Sequence, residues 1–533
     1  MRQLTPMHRA ASSTPASAPL PPAPRLRVPK LCVAIQAGSA AEMVERAKAA
    51  IQDSKPDAKF IEFRLDALDK PAAALPKVKQ FLAGRRDVTA IATCRRKEFG
   101  GHFALSLRSE LEVLLKAAEA GCKIADLEVE SAEEAKPAQL AQWRAKLRAA
   151  GAALLVSHHD FKQTRNLEQA ARRIEAFQPE FVKVVSTARS LADNLAVLRL
   201  IEERSLRVHM VGIAMGEEGL VSRVLGPRSG ATFTFASCDD GPETAPGQVT
   251  LRTLRDLYRV EQLDQATRVF GVAGNPIAHS LSPLMQNTAF RRESVNAVLL
   301  PLKVRALDDL LTLVRGLPLA GAAVTMPLKQ EVVPHLSNMD PLTTRIGACN
   351  TLRIAADGKM VGFNTDVAGV VRPLEKRLRL KDARIGVVGA GGAARAAVFG
   401  LVDQGAEVFI TNVIHEQAVA LAKEAKAKVL TRQQFTKERF DVLINATPCG
   451  MEGNPKPLPI EEHELNAGLV FDMVYNPLET PLIKLARERG IPTISGMEMF
   501  VQQGARQFEI WTGKPAPEAE MLRVVELELR RRG

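Results

Sequence analysis

The sequence predicts an α/β chain in two unlike parts: an N-terminal (β/α)8 barrel, then two α/β subdomains of which the second is Rossmann-like. Three observations predict it. Eight short apolar runs separated by amphipathic stretches occupy residues 30–262, the alternation that a (β/α)8 barrel requires. A second series of strand-like and helical segments begins near residue 268, with polar residues at its strand ends. Within that series the apolar run 383–388 breaks into Gly389-Ala390-Gly391-Gly392-Ala393 and then into helical sequence, the strand–loop–helix context of a dinucleotide site.

At 533 residues the chain exceeds one ordinary core. The divisions read along it are 1–29, 30–262, 268–370, 371–499 and 500–533, the last being helices that fold back on 268–370. Residues 1–29 are rich in Ala, Pro and Ser, contain four arginines and lack acidic residues. A disordered tail and a transit peptide share that composition, so the expected compartment is the cytoplasm, or a plastid if the tail is a targeting segment. No apolar run reaches the ~20 residues of a membrane span. The formal charge of +12 invites a nucleic-acid partner, but the basic residues are spread out and only two Tyr and two Trp are present for base stacking. Small anionic substrates suit the charge, and neither nucleic acid nor membrane is expected as a partner. The oligomeric state stays open, a monomer being compatible with the sequence. Six scattered cysteines form no CxxC pair, which predicts reduced thiols and no metal site.

The barrel runs fall at 31–36, 60–66, 88–95, 123–130, 153–160, 181–187, 208–215 and 231–236, with helical patterns such as 41–51 and 167–177 between them. A barrel gathers its chemistry at the C-terminal ends of its strands. Those ends, or the loops after them, hold Glu62, Arg64, Arg95, His159, Lys183 and Arg223. Alone, Lys183 in Phe181-Val182-Lys183-Val184-Val185 fits an edge strand with its amine in water. Beside an imidazole, a carboxylate and arginines it fits a nucleophile. A free lysine has a pKa of about 10.4, so burial with Arg64, Arg95 or Arg223 nearby would be needed to release the neutral amine. The iminium formed with a ketone acidifies the adjacent C–H, and His159 suits its removal, with Glu62 as orienter.

In the second part, Ser280 and Ser282 precede a proline at a helix start, where hydroxyls and free N–H groups hold a carboxylate well. Lys329 follows Val324-Thr325-Met326-Pro327-Leu328 at a helix N-terminus, an unfavourable place for a cation. Asn350 and Asp366 lie in loops, where such residues also serve as turn formers. The strand after the glycine loop ends at Asn412, where an NAD-specific fold would carry Asp or Glu. Repulsion of a 2′-phosphate is then absent, which favours NADP, with NAD possible.

Five separated motifs in the first part resemble type I 3-dehydroquinate dehydratase. They are Glu62-Phe63-Arg64, Thr93-Cys94-Arg95, Ser157-His158-His159-Asp160-Phe161, Val182-Lys183 and 215–223, with 244–248 as a sixth. That resemblance implies a Schiff base at Lys183 and acid/base work by His159. It assigns the substrate to Glu62, Arg64, Arg95, Arg223, Thr244 and Gln248, and makes His158 structural. Phe99 stands before Gly100-Gly101 where the family usually has an acid, with Glu98 one residue earlier.

Residues 268–533 resemble shikimate dehydrogenase, an α/β dehydrogenase of two subdomains, through 280–283, 324–329, 350–351, 364–366, 389–393, 445–447, 472–477 and 496–503. The resemblance implies Lys329 and Asp366 as the catalytic pair. It puts the substrate on Ser280, Ser282, Thr325, Asn350, Tyr475 and Gln503, and the cofactor on Gly389, Ala390, Gly391, Gly392, Ala393, Asn412, Thr447, Met473 and Gly496. Gln286 stands where His is usual, and Val413 where an arginine commonly holds the 2′-phosphate. The two implied reactions are consecutive: dehydration of 3-dehydroquinate gives 3-dehydroshikimate, the ketone reduced to shikimate by the second. The alternatives are quinate as substrate of the second half, and a ligand-sensing protein without turnover.

Overall fold

The structure, a computed structural model, describes residues 24, 26–54, 59–239, 247–277, 280–325 and 327–532. The tail 1–23 and the predicted substrate residue Thr244 lie outside the described residues. Among those described, no helix is long and apolar enough to cross a membrane.

The predicted barrel is borne out. Its strands are β1 Leu31–Ile35, β2 Phe60–Arg64, β3 Thr89–Thr93, β4 Ile124–Glu128, β5 Ala153–His159, β6 Phe181–Thr187, β7 His209–Met215 and β8 Thr234–Ser237. They pair in parallel in the order β7-β6-β5-β4-β3-β2-β1-β8. The remaining seam, between β7 and the approach to β8, carries a hydrogen bond from Thr232 N to Met210 O at 2.8 Å. Each strand falls within three residues of its predicted run at either end, because apolar runs buried on both faces leave little freedom in where a strand sits. The helices between them bury one stripe each: Ala40–Asp53 covers the barrel with Met43, Ala47 and Ala50, and starts at Ser39, whose hydroxyl accepts from Glu42 N.

The second part contains two six-stranded sheets. In the first, Ala297–Lys303, Arg268–Gly274 and Leu319–Val324 run parallel, and Thr351–Ile354 joins antiparallel. In the second, all parallel, Arg384–Val388 lies between Glu407–Thr411 and Phe440–Asn445. The order of strands reverses there, which opens a crevice at their C-terminal ends. The helix Asp366–Glu375 crosses from one sheet to the other, and the helix Gly496–Thr512 packs along it. The division drawn at 370/371 and the one at 499/500 therefore both fall inside helices. The terminal helices return to the first sheet: Trp511 Nε1 donates to Leu352 O at 3.0 Å, and Phe270 stacks on Trp511 at 4.9 Å.

A single apolar core runs from the barrel into the first of these sheets, joining Leu195 and Val197 to Val298, Leu300 and Leu310. Ion pairs from Lys303 and Arg305 to Glu217 and Glu218 fasten the rim of that contact.

Candidate active sites

Alternation along β2, β4 and β6 turns polar side chains into the barrel, and parallel pairing decides which of them meet. Glu128 stands opposite Ser157, and Ser157 opposite Lys183. Lys183 is 4% exposed and its Nζ lies 2.9 Å from Asp126 and 3.8 Å from Glu62. The Phe235 ring faces the same nitrogen at 4.4 Å. The expected crowding by arginines takes another form, because two of them are bound to acids. Arg64 forms two hydrogen bonds to Asp66, at 3.0 and 2.8 Å, and Arg95 donates to Glu128 at 2.9 Å and to Asp126 at 3.4 Å. Fully buried charges persist only in such paired arrays.

Glu62 does not orient His159. It accepts from Thr93 Oγ1 at 2.6 Å, and the partner of His159 Nδ1 is Glu128, at 2.9 Å. Burial, then the charges of Arg95 and Lys183, hold the His159 imidazole well below its usual range. Burial pushes the Glu128 carboxyl up to about 7 against the pull of Arg95. Burial also opposes ionisation of Asp126, but Lys183 and Arg95 outweigh it and keep this carboxyl below the usual range. The arrangement leaves His159 as a neutral base whose Nδ1–H points at a carboxylate. Sequence reasoning missed Asp126 and Glu128. Their signal is in the run 123–130, where Asp126, Glu128 and Glu130 alternate in an apolar sequence.

The expected Arg223 and Gln248 also line this pocket, and so does Phe161, which was not singled out from the sequence. Phe161 stacks on His159 with ring centroids 6.0 Å apart. Its ring fills the space where a Cβ on Gly100 would stand, 2.2 Å from Phe161 Cε2. His158 faces away and pairs with Glu130 at 3.3 Å, which raises its pKa. Glu98 also points away, 2.7 Å from Arg96 and mostly exposed.

The second site opens between the two sheets and is lined by Ser280, Ser282, Thr325, Lys329, Asn350, Asp366, Tyr475 and Gln503. Lys329 reaches it from the short helix Leu328–Glu331, and its Nζ contacts Asp366 Oδ2 at 2.5 Å. Asn350 donates to the other oxygen of Asp366 at 2.8 Å and accepts from Thr365 N and Thr351 Oγ1, both at 2.8 Å. The amide thus fixes the carboxylate, and the carboxylate fixes the ammonium. Gln507, not singled out from the sequence, lines the same cleft one helical turn beyond Gln503 and donates to Thr351 Oγ1 at 3.1 Å. Gln286 turns away from the cleft and donates to Gly504 O at 2.8 Å. Tyr475 stacks on Phe500 at 5.3 Å and keeps a third of its surface exposed.

Met473 and Gly496 stand at the edge where this cleft meets the nucleotide-type sheet. Buried Asp472 sets that edge by accepting from Thr480, Asn445 and Val474 N. Thr447 Oγ1 donates to Asn445 Oδ1 at 2.6 Å, so it braces the same turn. Gly389 has φ +121°, and a Cβ there would lie 2.9 Å from Ala446 O. A Cβ on Gly391 or Gly392 would meet nothing within 4 Å. The glycine loop is therefore tight against the sheet below and open above, at the N-terminus of the helix Gly392–Asp403. That geometry fits a pyrophosphate resting on backbone N–H groups.

Comparison with known proteins follows the same division. Residues 31–265 match the family described as type I 3-dehydroquinase. Residues 272–352 match the shikimate dehydrogenase substrate binding domain, 373–450 the shikimate / quinate 5-dehydrogenase family, and 496–526 the shikimate 5'-dehydrogenase C-terminal domain. The chain is similar to a chloroplastic bifunctional 3-dehydroquinate dehydratase/shikimate dehydrogenase of Arabidopsis thaliana. Identity is 34% over 512 residues, covering 91% of this chain and 82% of the relative. It is also similar to the shikimate dehydrogenase (NADP(+)) of Methanosarcina acetivorans, with 41% identity over 276 residues, covering 49% of this chain and 98% of that protein.

Proposed function

We infer the activity from one premise: the chain belongs to the family of bifunctional 3-dehydroquinate dehydratase/shikimate dehydrogenases. It is an enzyme of the shikimate pathway, and NADP(H) serves its second half as a cofactor. The barrel dehydrates 3-dehydroquinate through a Schiff base on Lys183. The inter-sheet cleft reduces the resulting 3-dehydroshikimate to shikimate.

The observation that carries the first step is the array of Lys183, Asp126, Glu128 and His159 in one buried mouth. The neutral amine adds to the ring ketone, and loss of water from that adduct gives an iminium. His159 Nε2 takes a proton from the carbon beside it, and the electron pair moves toward the iminium nitrogen. The enamine expels the ring hydroxyl, which leaves as water with the proton returned by His159. Hydrolysis then frees Lys183. Arg223, Arg95 and Gln248 hold the carboxylate and hydroxyls around this centre.

In the second half the glycine loop 389–393, with Thr447, Met473 and Gly496, would hold the nicotinamide dinucleotide, which would supply hydride for the ketone carbon. Lys329 stabilises the oxygen as it gains charge and donates the proton that makes the alcohol. Asp366, fixed by Asn350, keeps that ammonium aimed. Ser280, Ser282, Thr325, Tyr475 and Gln503 orient the carboxylate and hydroxyls of the ring. Quinate remains the comparison substrate for this half, since it adds one ring hydroxyl.

Two measurements on the full chain test the reading. Borohydride added in the presence of 3-dehydroquinate is expected to leave a covalent adduct on Lys183, read by mass spectrometry. A mixture of 3-dehydroquinate and NADPH is expected to yield shikimate with one NADPH oxidised per turnover. An unchanged mass would overturn the Schiff base, and unoxidised NADPH would overturn the second step.

A further inference from the structure

We propose that the nucleotide unit of this chain accepts NAD(H) about as well as NADP(H), because the end of its second strand grips neither a 2′-phosphate nor a 2′-hydroxyl. The inference rests on the reading of the second half as a nicotinamide-dependent dehydrogenase and concerns how that unit selects its cofactor.

The geometry begins at the glycine loop. Val388 is paired with Thr411, and Gly389 N donates to Thr411 O at 2.8 Å. The residues after Thr411 therefore stand beside the open face above Gly391 and Gly392. In a fold of this kind the adenosine ribose of a dinucleotide reaches that place. Selection there has two forms: a carboxylate accepts from the 2′-hydroxyl and repels the phosphate, or a guanidinium clasps the phosphate.

This loop supplies neither. It reads Asn412-Val413-Ile414, with Val413 90% and Ile414 52% exposed. The Asn412 amide nitrogen is engaged within the loop, donating to Ile414 O at 3.1 Å and to Gln417 Oε1 at 3.0 Å. Three cations on neighbouring elements have partners of their own. Arg395 pairs with Glu424 and donates to Ile346 O, Arg432 pairs with Glu464, and Lys428 pairs with Glu407. Glu416 lies in the first turn of the next helix, beside His415, so the local charge does not favour a dianion. Two large apolar side chains left in water at a ribose site offer stacking surface to either nucleotide. A 2′-phosphate in this setting stays hydrated, and its presence or absence changes the contacts little.

Calorimetric titration of the full chain with NADP+ and with NAD+, at low and high salt, tests the inference directly. The two dissociation constants are expected to agree within about fivefold, with weak dependence on salt. Val413 is exposed and outside the substrate and proton-transfer machinery, so Val413→Arg is compatible with the fold. That variant is expected to tighten NADP+ by about tenfold or more at low salt and to shift NAD+ far less. Wild-type chain that binds NADP+ about a hundredfold tighter than NAD+, or a Val413→Arg variant indifferent to the phosphate, overturns the proposal. Binding of neither nucleotide would instead strike the reading of the whole unit, a distinguishable failure.

Discussion

The barrel mouth and the inter-sheet cleft each centre on a lysine facing an aspartate, at 2.9 Å for Lys183–Asp126 and 2.5 Å for Lys329–Asp366. What surrounds the pair differs. Lys183 is nearly sealed, with a second carboxylate, an aromatic face and two acid-bound arginines around it. The Lys329 side chain keeps a quarter of its surface in solvent and has Asp366 as its recorded carboxylate partner, itself held by Asn350. The free space differs in the same sense, about 60 Å³ over Lys183 against about 420 Å³ in the cleft. A covalent amine needs to be held in a closed mouth against one ketone, which the packed side chains around it achieve. A proton donor at a hydride-transfer site needs an aimed ammonium and room for two ligands. The same two residue types thus serve different chemistry through the company they keep.

The largest expected effect breaks this comparison on the barrel side. Lys183→Ala is expected to lower dehydratase kcat by about 10⁴-fold or more, since removal of a nucleophile disables the whole unit. Shikimate oxidation by the same variant, measured in parallel, should stay at the wild-type rate. A comparable loss in both assays would show that the variant had misfolded or that the two sites are one.

A somewhat smaller effect belongs to the cleft. Lys329→Ala is expected to lower dehydrogenase kcat by about 10²- to 10⁴-fold, the range of general-acid contributions, with KM for shikimate changed far less. Dehydratase turnover should be untouched. A rise in KM with kcat preserved would make Lys329 a binding group and not the proton donor.

The smallest effect sharpens the contrast through pH. His159 must be neutral at Nε2 while Glu128 is ionised to accept from Nδ1–H. With Glu128 pushed up to about 7 and His159 held low, falling pH puts a proton on the pair near neutrality. Dehydratase kcat/KM should therefore be flat above about pH 7 and decline below it. Glu128→Gln cannot titrate, so the acid limb near 7 is expected to disappear while activity falls by about 10- to 100-fold. A variant that retained the limb would place its origin elsewhere, and the dehydrogenase profile serves as an internal control.

The eight barrel strands were legible because each apolar run is short, bounded and buried on both sides. Lys183 and His159 stood out as polar residues inside such runs, and Lys329 as a cation at the wrong end of a helix. The partners were less legible. Glu62 and Glu128 are both acids on inward-facing strands, and periodicity alone gives no reason to prefer one as the companion of His159. Asp126 shares a face with Glu128 by simple alternation, yet its contact with Lys183 joins residues 57 positions apart. Gln507 repeats the face of Gln503, but a helix so buried offers several such faces. Glu98, one residue before the place where the family usually has an acid, is turned away from the site by its pair with Arg96.

The sequence by itself determined which residues form strands, which face each polar side chain takes and which lysines are out of place. These are local consequences of side-chain period and helix polarity. Only the tertiary structure decided that Glu128 and not Glu62 meets His159, that Arg64 and Arg95 are bound to acids, and that Asn412 turns its amide back on its own loop. Those contacts depend on strand register and closure, which are set by the packing of the whole barrel and sheet rather than by any single segment.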